Sequence, residues 1–157
     1  MIFATVGTQL VFPRLIGALD RIAGAHGLEM IAQTCDPAPG TRHIECHQHI
    51  APVDFDALFA RAELVVGHAG IGTILTARKL GKPLLLLPRR ASLGEHRNDH
   101  QMATARFVAR FPGIRIAWGE NELEEKILER DPPVPEFGAS PERNRLIARV
   151  REFLLQD

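Results

Sequence analysis

Apolar residues along this chain come in short, nearly unbroken runs that alternate with segments of helical periodicity. Residues 2–6 form such a run, closed by Gly7, and read as a buried strand. Over residues 13–25 the apolar positions are Leu15, Ile16, Leu19, Ile22 and Ala23, and Pro13 stands where a first helical turn accepts proline. The same reading predicts strands at 28–33, 63–68, 84–87 and 114–118, with a more polar strand at 43–49 suited to a sheet edge. It predicts further helices at 54–61, 71–80, 96–111, 121–129 and 141–155. In the 71–80 helix, Ile71, Ile74, Leu75 and Leu80 fall largely on one side, and Gly81 supplies a stop. Residues 36–40 and 89–95 read as loops, and the proline-rich stretch 131–138 as a stiff connector before an amphipathic last helix.

Alternating strands and helices, with strands that are apolar throughout, predict a parallel sheet covered on both faces. Right-handed crossovers then give an α/β, doubly wound, Rossmann-like sheet with strand order 3-2-1-4-5-6. In that order the winding reverses between the first strand and the fourth. Ligands of such sheets bind where the carboxyl ends of the strands meet this reversal. Those two ends carry Gly7-Thr8 and the glycine-rich stretch GHAGIGT at 67–73, so both loops are expected to face one crevice.

Length and composition narrow the function. The 157 residues match one ordinary domain, and 45% apolar content suits a folded core. Basic and acidic residues both number 19, which lacks the positive excess of a general nucleic-acid binder. Two cysteines fit a reducing cytoplasm better than a disulfide scaffold. The apolar start has neither a basic leader nor a small-residue cleavage site, so it reads as a strand. The longest apolar run, between Pro83 and Pro88, is far too short to cross a bilayer.

Candidate chemistry gathers in two stretches. GHAGIGT would place unpaired N–H groups of a helix start, with the positive end of its dipole, beside small residues that let an anion approach. His68 would add a ring N–H. The alternative is a tight turn whose histidine is satisfied by backbone carbonyls. The spacing is neither GxGxxG nor a P-loop. PRRASLGEHRNDHQ, residues 88–101, also opens at the carboxyl edge: Arg89, Arg90 and Arg97 could neutralise a diphosphate. Glu95, Asn98, Asp99 and Gln101 suit sugar hydroxyls. The plainer alternative is a solvated helix start. His96 and His100, four apart with Asp99 nearby, and the group His43, Cys46, His47 and His49 raise a metal site. No paired CxxC or HExxH accompanies them, and no catalytic triad can be assembled from the sequence.

GHAGIGTILTARKLGKPLLLLP followed by GEHRNDHQ resembles the C-terminal, nucleotide-sugar-binding domain of the family-28 glycosyltransferases, of GT-B architecture. The opening FATVGTQLVFPRLI is similar to the first strand and loop of small subunits in two-component members of that family. The resemblance covers residues 1 to about 105. It implies a UDP-sugar donor, inverting transfer of a hexose or N-acetylhexosamine to a lipid-linked acceptor, and no metal or other cofactor. It places His68, Gly70, Gly72 and Thr73 by the diphosphate, Gly7 and Thr8 along the crevice, and Asp99, His100 and Gln101 toward the donor sugar. Thr76 stands where many relatives carry a ribose-binding glutamate. One GT-B half in this chain implies that a membrane-anchored, acceptor-binding subunit supplies the other half and the general base. The chain itself is then expected in the cytoplasm, held at the inner face of the membrane through that partner, with residues 141–155 either docking it or covering the sheet.

Overall fold

A computed structural model of the chain describes residues 1–129. The strands are β1 (Ile2–Thr5), β2 (Met30–Gln33), β3 (Glu45–His47), β4 (Leu64–Gly67), β5 (Leu84–Leu86) and β6 (Ile114–Ile116). The helices are α1 (Pro13–His26), α2 (Pro52–Arg61), α3 (Ile71–Leu80), α4 (His100–Val108) and α5 (Leu123–Leu128). All strand pairs are parallel, and the sheet runs β3-β2-β1-β4-β5-β6, the order expected from the alternation. The connector and last helix predicted over 131–157 lie outside the described residues.

The inner strands are largely apolar because each buries both faces. Ile2, Ala4, Leu64, Val66 and Leu85 point to one side and pack with Leu15, Leu19 and Ile22 of α1 and Leu123 and Ile127 of α5. Phe3, Val65, Leu84, Leu86, Ile114 and Ile116 point to the other, against Phe59 of α2, Ile74 and Ala77 of α3, and Ala105 and Val108 of α4. The two-residue period of a strand sorts its residues between two cores. β3 lies at the sheet edge, where Glu45 and His47 are exposed, as its polar composition suggested.

Two expectations need correcting. Helix α3 does not bury all of its apolar residues: Thr73, Ile74 and Ala77 face the sheet, whereas Ile71 and Leu75, one turn apart, are each 59% exposed. Gly81 does end that helix, in the left-handed conformation at φ 61°. Helix α4 begins at His100 instead of residue 96. The preceding residues use their polar groups locally, Asp99 Oδ1 accepting from the Ala91 amide (2.9 Å) and Asn98 Oδ1 from the His100 amide (3.3 Å). Such side-chain bonds to nearby backbone compete with helix. Among the described residues no helix is long and apolar enough to cross a membrane.

Candidate functional site

Thr5 of β1 is in register with Gly67 of β4, so the chain leaves both strands at one level of the sheet. A cavity of about 650 Å³ opens there. Its walls come from the loop after β1, the end of β2, the start of α2, the turn into α3, and the β5–α4 loop. Of the residues singled out from sequence, Gly7, Thr8, His68, Gly70, Gly72, Thr73, Thr76, Arg89 and Gln101 all line it.

The turn into α3 leaves donors free. Gly70 caps the helix without a side-chain hydrogen bond, and the first intrahelical bond runs from the Ile74 amide to the Gly70 carbonyl (3.2 Å). The amides of Ile71, Gly72 and Thr73 thus have no acceptor among the described residues. Together with the helix dipole they form a ready seat for an anion. Thr76 lies on the same helical face one turn later, about 5.4 Å along the axis.

The glycines divide the work. Gly7, at φ 85°, and Gly70 enclose the His68 ring: a Cβ on Gly7 would lie 2.9 Å from Cε1, and one on Gly70 2.7 Å from the same atom. These two therefore make room for the imidazole. A Cβ at Gly72 would meet nothing within 4 Å, so that glycine is the one that opens toward the cavity. His68 is held neutral, its pKa lowered to about 4 by burial first, then by the nearby Arg89 charge, with His96 adding a little and the Thr5 carbonyl opposing. Its Nδ1 is buried and makes no hydrogen bond of ordinary geometry among the described residues, and the Thr5 carbonyl is the backbone acceptor that acts on the ring. The tautomer carrying the proton on Nε2 is a neutral hydrogen-bond donor.

The 88–101 stretch behaves differently from expectation. Arg89 is 2% exposed, and its guanidinium donates to the carbonyls of Val11 (2.6 Å), Leu10 (2.7 Å) and Val6 (3.3 Å). It is wall, with both terminal nitrogens already engaged by carbonyls, instead of a free phosphate ligand. Arg90 reaches the Trp118 carbonyl, away from the cavity. Glu95 accepts from Arg14 Nε (2.5 Å) and a terminal nitrogen (2.8 Å), and from the Arg90 amide (2.9 Å), so it joins the first turn of α1 to the β5–α4 loop and is no longer free for a sugar hydroxyl. Gln101 Oε1 accepts from the Arg89 amide (3.1 Å) while the residue lines the cavity. Asp99 and His100 are exposed and outside the lining, because the turn before α4 directs Asp99 onto Ala91. His96 precedes α4, so His96 and His100 do not share a helical face as the metal alternative required.

The structure adds residues that no motif marked. Gln33 Nε2 donates to the Gly7 carbonyl (2.8 Å) and Oε1 accepts from the Ile50 amide (3.0 Å), bracing two loops at once. A glutamine at the end of an otherwise apolar strand was the available signal. Ile50, Phe55 and Asp56 reach the cavity from the β3–α2 side, and Asp56 is the one carboxylate among the lining residues. Phe55 is set by edge-on packing against Phe3, with ring centroids 5.2 Å apart.

Residues 42–133 match the glycosyltransferase family 28 C-terminal domain. This chain belongs to that family. The match takes in β3 to α5 and so the turn into α3, Arg89 and Gln101. The chain is 30% identical over 119 residues to the UDP-N-acetylglucosamine–N-acetylmuramyl-(pentapeptide) pyrophosphoryl-undecaprenol N-acetylglucosamine transferase of Deinococcus deserti, covering 76% of this chain and 29% of that protein. It is 34% identical over 76 residues to the UDP-N-acetylglucosamine transferase subunit ALG13 of Cryptococcus neoformans, covering 47% of this chain and 36% of the relative. The chain thus spans about a third of the length of these curated family members. In fold it is similar to the NMR solution structure of ALG13, with a TM-score of 0.59, 16% identity, and 92% and 93% of the two chains covered.

Proposed function

We propose that this chain is the donor-binding part of an inverting glycosyltransferase that moves a hexose or N-acetylhexosamine from a UDP-sugar to a lipid-linked acceptor in polysaccharide or glycolipid synthesis. The observation that carries the reading is the set of three amides at the start of α3 that have no acceptor among the described residues, beside a cavity lined also by neutral His68 at the point where the sheet reverses its winding. The diphosphate sits on the Ile71, Gly72 and Thr73 amides, and His68 donates one further hydrogen bond. Thr76, one turn along, and Asp56 opposite it offer acceptors to nucleoside hydroxyls, while Gln101 and Thr8 face the sugar end. Donors aimed where charge develops on the departing UDP lower the barrier to transfer.

The acceptor hydroxyl must lose a proton, and none of the lining residues is assigned as that base. A separate membrane-associated subunit supplies it together with the lipid-linked acceptor. The chain works in the cytoplasm at the membrane face through that partner, without metal or other cofactor.

Calorimetry with UDP, with and without EDTA, tests the site. Binding that ignores EDTA and weakens roughly tenfold in His68→Ala supports the reading; an absence of UDP binding overturns it. Transfer assays with the co-purified partner test the activity. UDP binding without transfer in the reconstituted complex would leave a non-catalytic nucleotide-binding module, the alternative reading.

A further inference from the structure

The loop over residues 7–11 forms one lip of the cavity, yet it belongs to neither a strand nor a helix. Cations of this chain hold it. Arg89 reaches the carbonyls of Val6, Leu10 and Val11, and its guanidinium lies 4.4 Å from the centre of the Phe12 ring. Arg14 lies 5.3 Å from the same ring, donates to the Pro88 carbonyl (3.1 Å), and forms the two-bond ion pair with Glu95. The Phe12 ring is thus in contact with both guanidinium groups; Arg89 ties the β1–α1 loop, and Arg14 the first turn of α1, to the β5–α4 side. A planar guanidinium spreads five donors over a rigid fork that also stacks on an aromatic ring, whereas a lysine ammonium is a compact point with three donors and no such face. Were Arg89 to turn toward a ligand, these carbonyls would lose the one cationic donor they have among the described residues, an unfavourable exchange.

We propose that Arg89 is a positioning residue: it fastens the 7–11 loop so that Gly7 and His68 keep the anion end of the cavity in shape, and it does not itself contact the ligand's phosphates. Arg14 and Glu95 brace the same clasp from outside the cavity. This rests on the reading of the cavity as a donor site for its ligand-binding arm only; the loop-holding arm stands without it.

Three variants separate the clasp from direct phosphate contact. Arg89→Lys keeps the charge and loses the bridge. It should raise the UDP dissociation constant roughly tenfold and speed hydrogen exchange at the amides of residues 7–12. His68, watched by NMR titration, should keep its low midpoint in that variant, because the charge remains. In Arg89→Met the midpoint should rise only part of the way, since burial, the larger cause, remains while the strongest charge acting on the ring is gone. Arg14→Met, which leaves the cavity lining intact, should speed the same exchange and weaken UDP about threefold. Full UDP affinity in Arg89→Lys, or unchanged exchange in both Arg89→Lys and Arg14→Met, would overturn the clasp. Failure of wild-type chain to bind UDP would defeat the donor reading and leave the exchange and NMR results to judge the clasp. Should Arg89→Met not fold, Arg14→Met and Arg89→Lys still decide.

Discussion

Two loops open at the carboxyl edge of the sheet, and they treat their polar groups in opposite ways. The turn at 67–73 contains one ionisable residue and leaves three backbone donors and the imidazole Nδ1 without a partner of ordinary geometry among the described residues. The 88–101 stretch is crowded with charge, and most of that charge is spent inside the protein: Arg89 on three carbonyls, Glu95 on Arg14 and the Arg90 amide, Asp99 on Ala91. Density of polar side chains therefore marks how a loop is held, while unpaired backbone donors mark what remains available to a ligand. In the first loop those donors belong to the backbone, and close approach to them requires small residues. In the second the side chains shape the wall that makes the first loop useful.

The largest expected effect lies inside the glycine turn. Gly70→Ala would push a methyl into the His68 ring, and should destabilise the fold by about 1–3 kcal/mol with UDP binding reduced beyond measurement by calorimetry. Tolerance of alanine there would show that the ring is not confined. His68→Ala should weaken UDP roughly tenfold, the value of a hydrogen bond to a charged acceptor, with little change in melting temperature. An unaltered dissociation constant would break the contrast, since the turn would then owe nothing to its histidine.

Acid should act through the same residue. The folded chain holds His68 neutral down to about pH 4, whereas the unfolded chain protonates it near the ordinary 6.5. The unfolded state thus binds more protons in that window, and the associated stability is present above pH 6.5 and lost as pH falls toward 4. Glu95 adds to this below its ordinary range. Burial pulls its pKa up, but Arg14, the Arg90 amide and Arg89 outweigh it and leave the pKa lowered. Urea unfolding of wild type and His68→Gln across pH 4 to 7 checks the sign; the variant should lose part of the slope.

Gly72→Ala separates clearance for a ligand from clearance for the fold. It should raise stability by about 0.5–1 kcal/mol, as alanine favours a helix, and weaken UDP about threefold if the diphosphate approaches that residue. Equal or tighter binding would move the anion elsewhere. The smallest effect belongs to His100→Ala, exposed and outside the cavity lining: stability within about 0.5 kcal/mol of wild type and an unchanged UDP dissociation constant. A several-fold loss would show that the second loop does take part in UDP binding.

Most of the sheet was legible from residue pattern. Continuous apolar runs can only be buried on both faces, and the handedness of crossovers then ordered the strands; the element types follow. The crevice was legible too, because strand order places Gly7 and GHAGIGT together. Element ends were less so. Residues 96–99 look helical, but Asn98 and Asp99 bind nearby backbone and delay α4 to His100. The exposed Ile71 and Leu75 could not be told from core residues, since helical spacing gives a face without naming what covers it.

By itself the sequence determined the fold class, the reversal point and the presence of a helix start built for close approach, because these depend on periodicity and on where side chains are absent. Only the tertiary structure decided what each group at that point does. It assigned Gly7 and Gly70 to the His68 ring and Gly72 to open space, and turned Arg89 inward onto carbonyls from residues some 80 positions away. A charged side chain goes to the nearest buried acceptors that lack partners, and which acceptors those are is settled by packing between segments distant in the chain.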